Sequence, residues 1–134
     1  MILSGLAKYK NTALLLVRIG LGIMFIMHGY PKIAGGVPKW EALGASMSYI
    51  GIDFFPVFWG LMAAVAEFFG GAFLILGFAF RPVCVMLIIT MIVATLTHLG
   101  RGESLMDSSH SIEDGIMFLG LLFLGPGKYS VDKK

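Results

Sequence analysis

Charged residues are scarce in this chain of 134 amino acids: they make up 13% of the sequence, whereas 57% of the residues are hydrophobic. A water-soluble domain normally carries about 25% charged residues. The mean hydropathy of +0.88 agrees with this shortage of polar surface. A monomeric soluble enzyme is therefore excluded, because its core could not be covered, and the same numbers exclude a disordered chain. The length allows a single domain.

Cysteine is nearly absent as well. The single Cys84 excludes disulfides, CxxC redox chemistry and cysteine metal clusters within one chain. The sequence also lacks a GxGxxG motif, a P-loop and a Ser/His/Asp constellation, so flavin or nicotinamide chemistry would require another subunit. The net charge of +2 is too small to indicate a nucleic-acid partner, and it suits a protein that lies beside anionic lipid.

The sequence does have four long apolar stretches. A membrane-spanning helix needs roughly 20 such residues. We therefore predict an all-α, polytopic membrane protein, with residues 1–134 forming one four-helix transmembrane domain. The predicted helices cover residues 11–31, 56–80, 82–99 and 111–125.

Two short features complete this fold prediction. The segment between the first and second stretches is mildly amphipathic and carries Trp40 and Tyr49, which indicates a short interfacial helix. Ser111 and Asp114 have the spacing of a capping box at the start of the fourth helix.

The basic residues predict the orientation in the membrane. Six of them would lie on the side that holds both termini: Lys8, Lys10, Arg81, Lys128, Lys133 and Lys134. Three would lie on the opposite side: Lys32, Lys39 and Arg101. Because cytoplasmic loops carry the excess of Lys and Arg, both termini are predicted to be cytoplasmic.

Two ionisable residues fall within the apolar stretches. Each costs about 2.5–3.5 kcal/mol on insertion scales and so requires a reason. At about 1.5 Å per residue, Arg18 and Glu67 lie close enough in depth for an arginine side chain to bridge them, which predicts a buried ion pair. Small residues surround Glu67 at helical spacing and favour close helix packing. This pair could serve only to hold the bundle together, and that alternative stays open.

A second set of polar residues is predicted to meet near the outer surface. His28 and His98 lie at similar depth, Lys32 follows His28 by four residues, and Glu113 shares a helix face with Gly120. Lys and His can donate hydrogen bonds to quinone carbonyls, and His or Glu can carry a proton near neutral pH. The alternative is that these are merely solvated residues at helix ends.

Metal ligands on one helix usually lie three or four residues apart. His28, His98 and His110 show no such pairing, so no metal site is predicted. A haem held between two histidines remains the weaker alternative.

Three segments together resemble the DoxX family of small bacterial membrane proteins. The first is LVRIGLGIMFIMHGYPKIAGG (residues 16–36), the second is AEFFGGAFLILGFAFRPVC (residues 66–84), and the third is the tail GPGKYSVDKK (residues 125–134). The first segment has the family's Arg, then His-Gly, then Lys. The second has its acidic residue among small residues, followed by a basic turn, and the third has its closing Gly-Pro-Gly. The order and spacing of the three segments also match the family.

The resemblance implies a four-helix protein of the bacterial inner membrane. Family members are commonly labelled oxidoreductases, by similarity to a subunit of thiosulfate:quinone oxidoreductase, and others are linked to redox-stress resistance through partner proteins. It carries over Arg18, His28, Lys32, Glu67 and His98 as site residues. The paired cysteines of some related membrane proteins are missing here, which argues against direct thiol–disulfide chemistry.

The expected function is therefore the membrane subunit of a quinone-linked oxidoreductase or redox-stress defence system. His28, His98 and Glu113 are the candidate catalytic residues, and Arg18, Lys32 and Glu67 are the candidate substrate-binding residues. Quinone is the expected cofactor, and a soluble redox subunit or a second copy of the chain is the expected partner. A non-enzymatic membrane anchor for a soluble redox protein is the alternative, and a small-solute transporter, for which no inverted repeat is visible, is a third.

Overall fold

The computed structural model describes residues 2–133, and every regular element in that range is helical. Five α-helices follow one another along the chain: α1 (Lys10–Ala34), α2 (Gly36–Ala45), α3 (Pro56–Leu76), α4 (Phe80–Gly100) and α5 (Ser109–Leu124). Three short 3-10 turns precede α1, follow α2 and precede α5: Ser4–Tyr9, Ser46–Ile50 and Leu105–Ser108. The predicted all-α fold is confirmed.

Among residues 2–133, three helical segments are long and apolar enough to cross a membrane: Ser4–Ala34, Pro56–Leu76 and Phe80–Gly100. The shortest of them have 21 residues, or about 31 Å, which matches the hydrocarbon thickness of a bilayer of about 30 Å. The last helix, α5, is shorter: it has 16 residues, or about 24 Å. The surface is rich in exposed apolar side chains such as Leu16, Ile89 and Phe123. The chain is a polytopic membrane protein, as predicted.

The helices form two antiparallel pairs, α1 with α3 and α4 with α5. Both chain termini lie at one end of the molecule, which we call the terminal end, and the opposite end is called the far end. The core between the pairs is apolar, with Phe25 of α1 packed edge-on against Phe118 of α5. Its other buried members include Leu74, Phe80, Cys84 and Leu87.

Glycines set the register between α1 and α3. A Cβ atom built on Gly22 would lie 2.5 Å from the backbone oxygen of Gly71, and one built on Gly71 would lie 2.6 Å from that of Gly22. The two backbones are therefore in direct contact at this crossing, as small residues permit in membrane helices. About two turns further along α1, Gly29 lies against Phe68. This register decides which polar residues of the two helices can meet.

At the far end, α2 packs just as closely on the start of α3. A Cβ atom on Gly60 would collide with the backbone of Trp40, and one on Gly44 would collide with that of Pro56. The indole of Trp40 also donates a hydrogen bond to the Lys32 carbonyl oxygen at 2.9 Å. The predicted interfacial helix is thus fastened to both α1 and α3.

We expect Gly60→Ala to destabilise the protein by at least about 1–3 kcal/mol, because the added methyl group would push α2 and α3 apart. Gly20→Ala is the matched control, since no atom lies within 4 Å of its Cβ position and alanine favours a helix by up to about 1 kcal/mol. Unfolding by SDS in mixed micelles, followed by circular dichroism, measures both. Equal midpoints for the two variants would contradict the close packing.

The helix boundaries differ from the predicted ones at three places. α1 continues past Pro31 to Ala34, and α3 ends at Leu76, four residues earlier than predicted, because Gly77 adopts a left-handed conformation (φ 66°). Ser111 does not cap the last helix, because it lies buried inside α5. A capping box does occur nearby, at the start of the 3-10 turn Leu105–Ser108, where the side chains of Ser104 and Asp107 each accept a hydrogen bond from the other residue's backbone N–H.

Candidate functional site

A cavity of about 530 Å³ lies between α3 and α4 and reaches the far end. Its volume is within the range of small-molecule sites, about 300–1,000 Å³. Most of its wall is apolar, and its polar groups are concentrated at the far end. The polar or aromatic residues that line it there are Lys32, Ser46, Trp59, Glu67, Thr97, His98 and Arg101.

Lys32 and Glu67 form an ion pair at this polar end. The Lys32 ammonium donates to the Glu67 carboxylate at 2.7 Å, and the side chains are 28% and 9% exposed. Lys32 can reach Glu67 because α1 remains helical through Pro31. The predicted pair of Arg18 with Glu67 is therefore wrong, since the partner of Glu67 comes from the other end of α1.

Arg18 has a different role at the terminal end. Its guanidinium donates to the carbonyl oxygens of Leu74, Ile75, Pro126 and Tyr129 at 2.8–3.0 Å, and the residue is 1% exposed. The last carbonyls of a helix have no partner within it, so Arg18 satisfies the end of α3 and ties the C-terminal tail to it. Arg18 was predicted to bind substrate, but it does not line the cavity.

His98 lines the cavity near the end of α4. Its Nδ1 lies 2.5 Å from a carboxylate oxygen of Glu103, and both side chains are about one-third exposed. A carboxylate on one ring nitrogen orients the imidazole and leaves the other nitrogen free to act on a ligand. Arg101, which also lines the cavity, donates to the Ser46 hydroxyl at 3.0 Å and so joins α4 to the turn after α2.

Trp59 stands opposite α4 on the first turn of α3. Its indole Nε1 is buried and has no hydrogen-bond partner within the described residues. A buried donor without a partner costs about 1–3 kcal/mol. A ligand with a hydrogen-bond acceptor in the cavity would offer this donor a partner.

Residues 13–100 match the DoxX family. The chain belongs to the DoxX family. It is also 30% identical over 136 residues to the inner membrane protein YphA of Escherichia coli (strain K12), an alignment that covers 93% of this chain and 91% of that protein. No solved structure matches the chain.

The cavity lies almost wholly within the part of the chain that matches DoxX. Lys32, Trp59, Glu67 and His98 all fall within residues 13–100, and Arg101 is the next residue. The match ends before α5 begins. Within the DoxX fold, the cavity thus belongs to the matched core of three long helices.

The remaining predicted site residues lie outside this cavity. His28 contacts His110 of α5, with ring centroids 5.2 Å apart. His110 Nε2 in turn lies 3.3 Å from a buried carboxylate oxygen of Asp114, but the two atoms are not oriented for a hydrogen bond. Glu113 is exposed, so its predicted inward orientation is wrong. The polar residues predicted to meet near the outer surface are therefore divided: Lys32 and His98 line the cavity together with Glu67, whereas His28 lies with His110 of α5.

Sequence reasoning missed Trp59, Arg101 and Glu103 as site residues. Trp59, Ala63 and Glu67 are four residues apart and share one face of α3, which could have identified the indole. Arg101 entered the sequence analysis only as one of the three basic residues on the side opposite the termini. Within residues 2–133, no group of three or more His, Cys, Asp or Glu is arranged to hold a metal ion.

Proposed function

We propose that this DoxX-family protein is the membrane subunit of a quinone-linked redox system and that the cavity between α3 and α4 binds the quinone headgroup. The observation that carries the proposal is the combination, in one cavity, of an apolar wall with the Lys32–Glu67 pair, His98 and the unpaired indole of Trp59. Few polar groups on an apolar wall are typical of sites for apolar ligands that must be oriented.

The charges at the polar end favour a neutral ligand. Lys32 and Arg101 are balanced by Glu67 and by Glu103, the partner of His98. An anionic headgroup would meet the Glu67 carboxylate, and a cationic one would meet Lys32 and Arg101. A quinone is neutral, and its carbonyl oxygens accept hydrogen bonds of the kind that Lys32, Trp59 and His98 can donate.

Protons and electrons would reach the ligand by different routes. His98 borders the cavity and is one-third exposed, so it can exchange a proton between the ligand and water through its contact with Glu103. Electrons would come from a soluble redox subunit, because the sequence has no dinucleotide-binding motif of its own. We place the protein in the bacterial inner membrane with both termini in the cytoplasm, in keeping with the six-to-three distribution of basic residues.

Equilibrium dialysis of the purified protein with a tail-less, water-soluble benzoquinone tests the proposal. We expect His98→Ala and Trp59→Phe each to weaken binding by about fivefold, the equivalent of one hydrogen bond of about 1 kcal/mol. His28→Ala is the matched control, because His28 contacts α5 rather than the cavity, and it should bind like the parent protein.

Thermal unfolding should show that all three variants stay folded. Absence of binding by the parent protein would reject the proposal in favour of a non-enzymatic anchor for a redox partner. Equal weakening by His28→Ala and His98→Ala would show that the headgroup binds elsewhere.

A further inference from the structure

The cavity extends far beyond its polar end. It follows one face of α4 from Pro82 to Arg101, and its lining residues on that helix lie three and four positions apart throughout. Nineteen steps along the helix correspond to about 28 Å. The cavity is therefore a groove that runs from the far end nearly to the terminal end of α4.

The groove becomes uniformly apolar below its polar end. From Val85 to Ala94 the α4 wall has no charged side chain, and its single hydroxyl, Thr90, is occupied by a hydrogen bond to the Met86 carbonyl oxygen at 2.9 Å. The small side chains of Ala63 and Ala66 on α3 leave the space open. One end of the groove thus suits a polar head, and the remainder suits hydrocarbon.

The groove also opens sideways. Met62 on α3 and Val85 and Ile89 on α4 line it, and these residues are 43–56% exposed on the surface that faces lipid. A molecule dissolved in the bilayer could enter between the two helices without passing through water.

The size of the groove restricts what can occupy it. Its volume is about 530 Å³, whereas a helix of about 10–12 Å diameter and about 28 Å length occupies about 2,200 Å³ or more. The groove therefore suits flexible hydrocarbon and excludes a helix of a partner or of a second copy. A phospholipid fits poorly, because its phosphate would lie beside the Glu67 carboxylate.

We propose that the groove binds the long isoprenoid tail of a lipid-soluble quinone, which enters from the bilayer between α3 and α4. This inference rests on the proposed function of the polar end. The head lies against Lys32, Glu67 and Trp59, and the tail extends along α4 toward Pro82. Residues that line the middle of the groove, such as Met86 and Thr90, then determine affinity for the tail without touching the head.

The test compares two ligands and two positions at the same depth on α4. Thr90→Phe places a ring in the groove, whereas Ile92→Phe places one on a different, 52% exposed face of the helix. Each variant is reconstituted in nanodiscs that contain a long-tailed isoprenoid quinone, and the quinone retained per protein is quantified after delipidation. The tail-less benzoquinone is measured in parallel by equilibrium dialysis.

We expect Thr90→Phe to reduce retention of the long-tailed quinone at least tenfold and to leave binding of the tail-less one unchanged. Ile92→Phe should alter neither. Met86→Trp provides a second obstruction of the groove with the same expected result if Thr90→Phe does not fold.

The other outcomes separate this inference from the proposed function. Unchanged retention of the long-tailed quinone by both obstructing variants, with the tail-less quinone still bound, would overturn the tail site alone. Absence of binding of either quinone by the parent protein would reject the proposed function and this inference with it. A phospholipid displaced by Thr90→Phe in native mass spectrometry, with quinone retention unaffected, would identify the groove as an acyl-chain site instead.

Discussion

Arg18→Met is expected to destabilise the protein by about 4 kcal/mol or more and to release the C-terminal tail. The guanidinium makes four hydrogen bonds to buried or partly buried carbonyl oxygens. Each hydrogen bond from a charged group contributes about 1.5–3 kcal/mol, and each carbonyl left without a donor adds a desolvation penalty. Methionine preserves much of the apolar length of the side chain, so the loss reports the hydrogen bonds rather than a cavity.

Two measurements check this expectation. Unfolding by SDS in mixed micelles gives the change in stability, and limited proteolysis after Lys128 reports release of the tail. Arg101→Met is the matched control, since that exposed arginine donates its hydrogen bond to the Ser46 hydroxyl at the surface and should change stability by less than about 1 kcal/mol. Arg18→Lys should lose most of the stability that the arginine contributes, because one ammonium cannot replace a planar guanidinium with five N–H donors. A tail that stays protected in Arg18→Met would show that other contacts hold it.

Those other contacts make the tail part of the bundle. Asp132 accepts hydrogen bonds from the backbone N–H groups of Ala79 and Phe80, at 3.1 and 2.7 Å, and so caps the start of α4. The backbone of Val131 donates to the Leu76 carbonyl oxygen at 3.0 Å. Gly77 has no room for a side chain, since a Cβ there would collide with Ser130 and approach the Arg18 guanidinium. Arg18 near the start of the chain and the segment from Pro126 to Asp132 near its end thus belong to a single structural unit.

The membrane fold was predictable because it depends on bulk properties of the sequence. Low charge, long apolar stretches and aromatic residues in the first connection suffice to predict an all-α membrane protein with an interfacial α2. The partner of Arg18 was not predictable in this way. Backbone carbonyls at the end of a helix carry no sequence signal. In addition, α3 was predicted to continue to residue 80. It ends at Leu76, so its last carbonyl oxygens are available to Arg18.

Helix faces misled the prediction at α5. Glu113 was expected to point inward because Gly120 lies seven residues further on. Gly120 is itself exposed and has no atom within 4 Å of its Cβ position. The buried face of α5 carries Ser111, Phe118 and Leu121 instead. Gly22 and Gly71 do mark an interior face, because each of them is approached by the backbone of the other.

A double-mutant cycle should find that Lys32 and Glu67 are coupled and that Arg18 and Glu67 are not. Removing one member of a buried ion pair strands the other charge and typically costs about 3–5 kcal/mol. We expect Glu67→Gln and Lys32→Met to lie near 3 kcal/mol each, the lower end of that range, because the Lys32 side chain remains 28% exposed. The double variant should lose less than the sum of the two, by about 1 kcal/mol or more.

The combination of Arg18→Met with Glu67→Gln is the control cycle, and its effects should add to within about 0.5 kcal/mol. The register argues for this difference. With Gly22 against Gly71, Arg18 lies level with Leu74 and Ile75, whereas Glu67 lies about two turns nearer the far end and is reached from above by Lys32. Coupling between Arg18 and Glu67, with additivity between Lys32 and Glu67, would mean that α1 and α3 are shifted relative to each other and that the polar end of the groove is not formed as described.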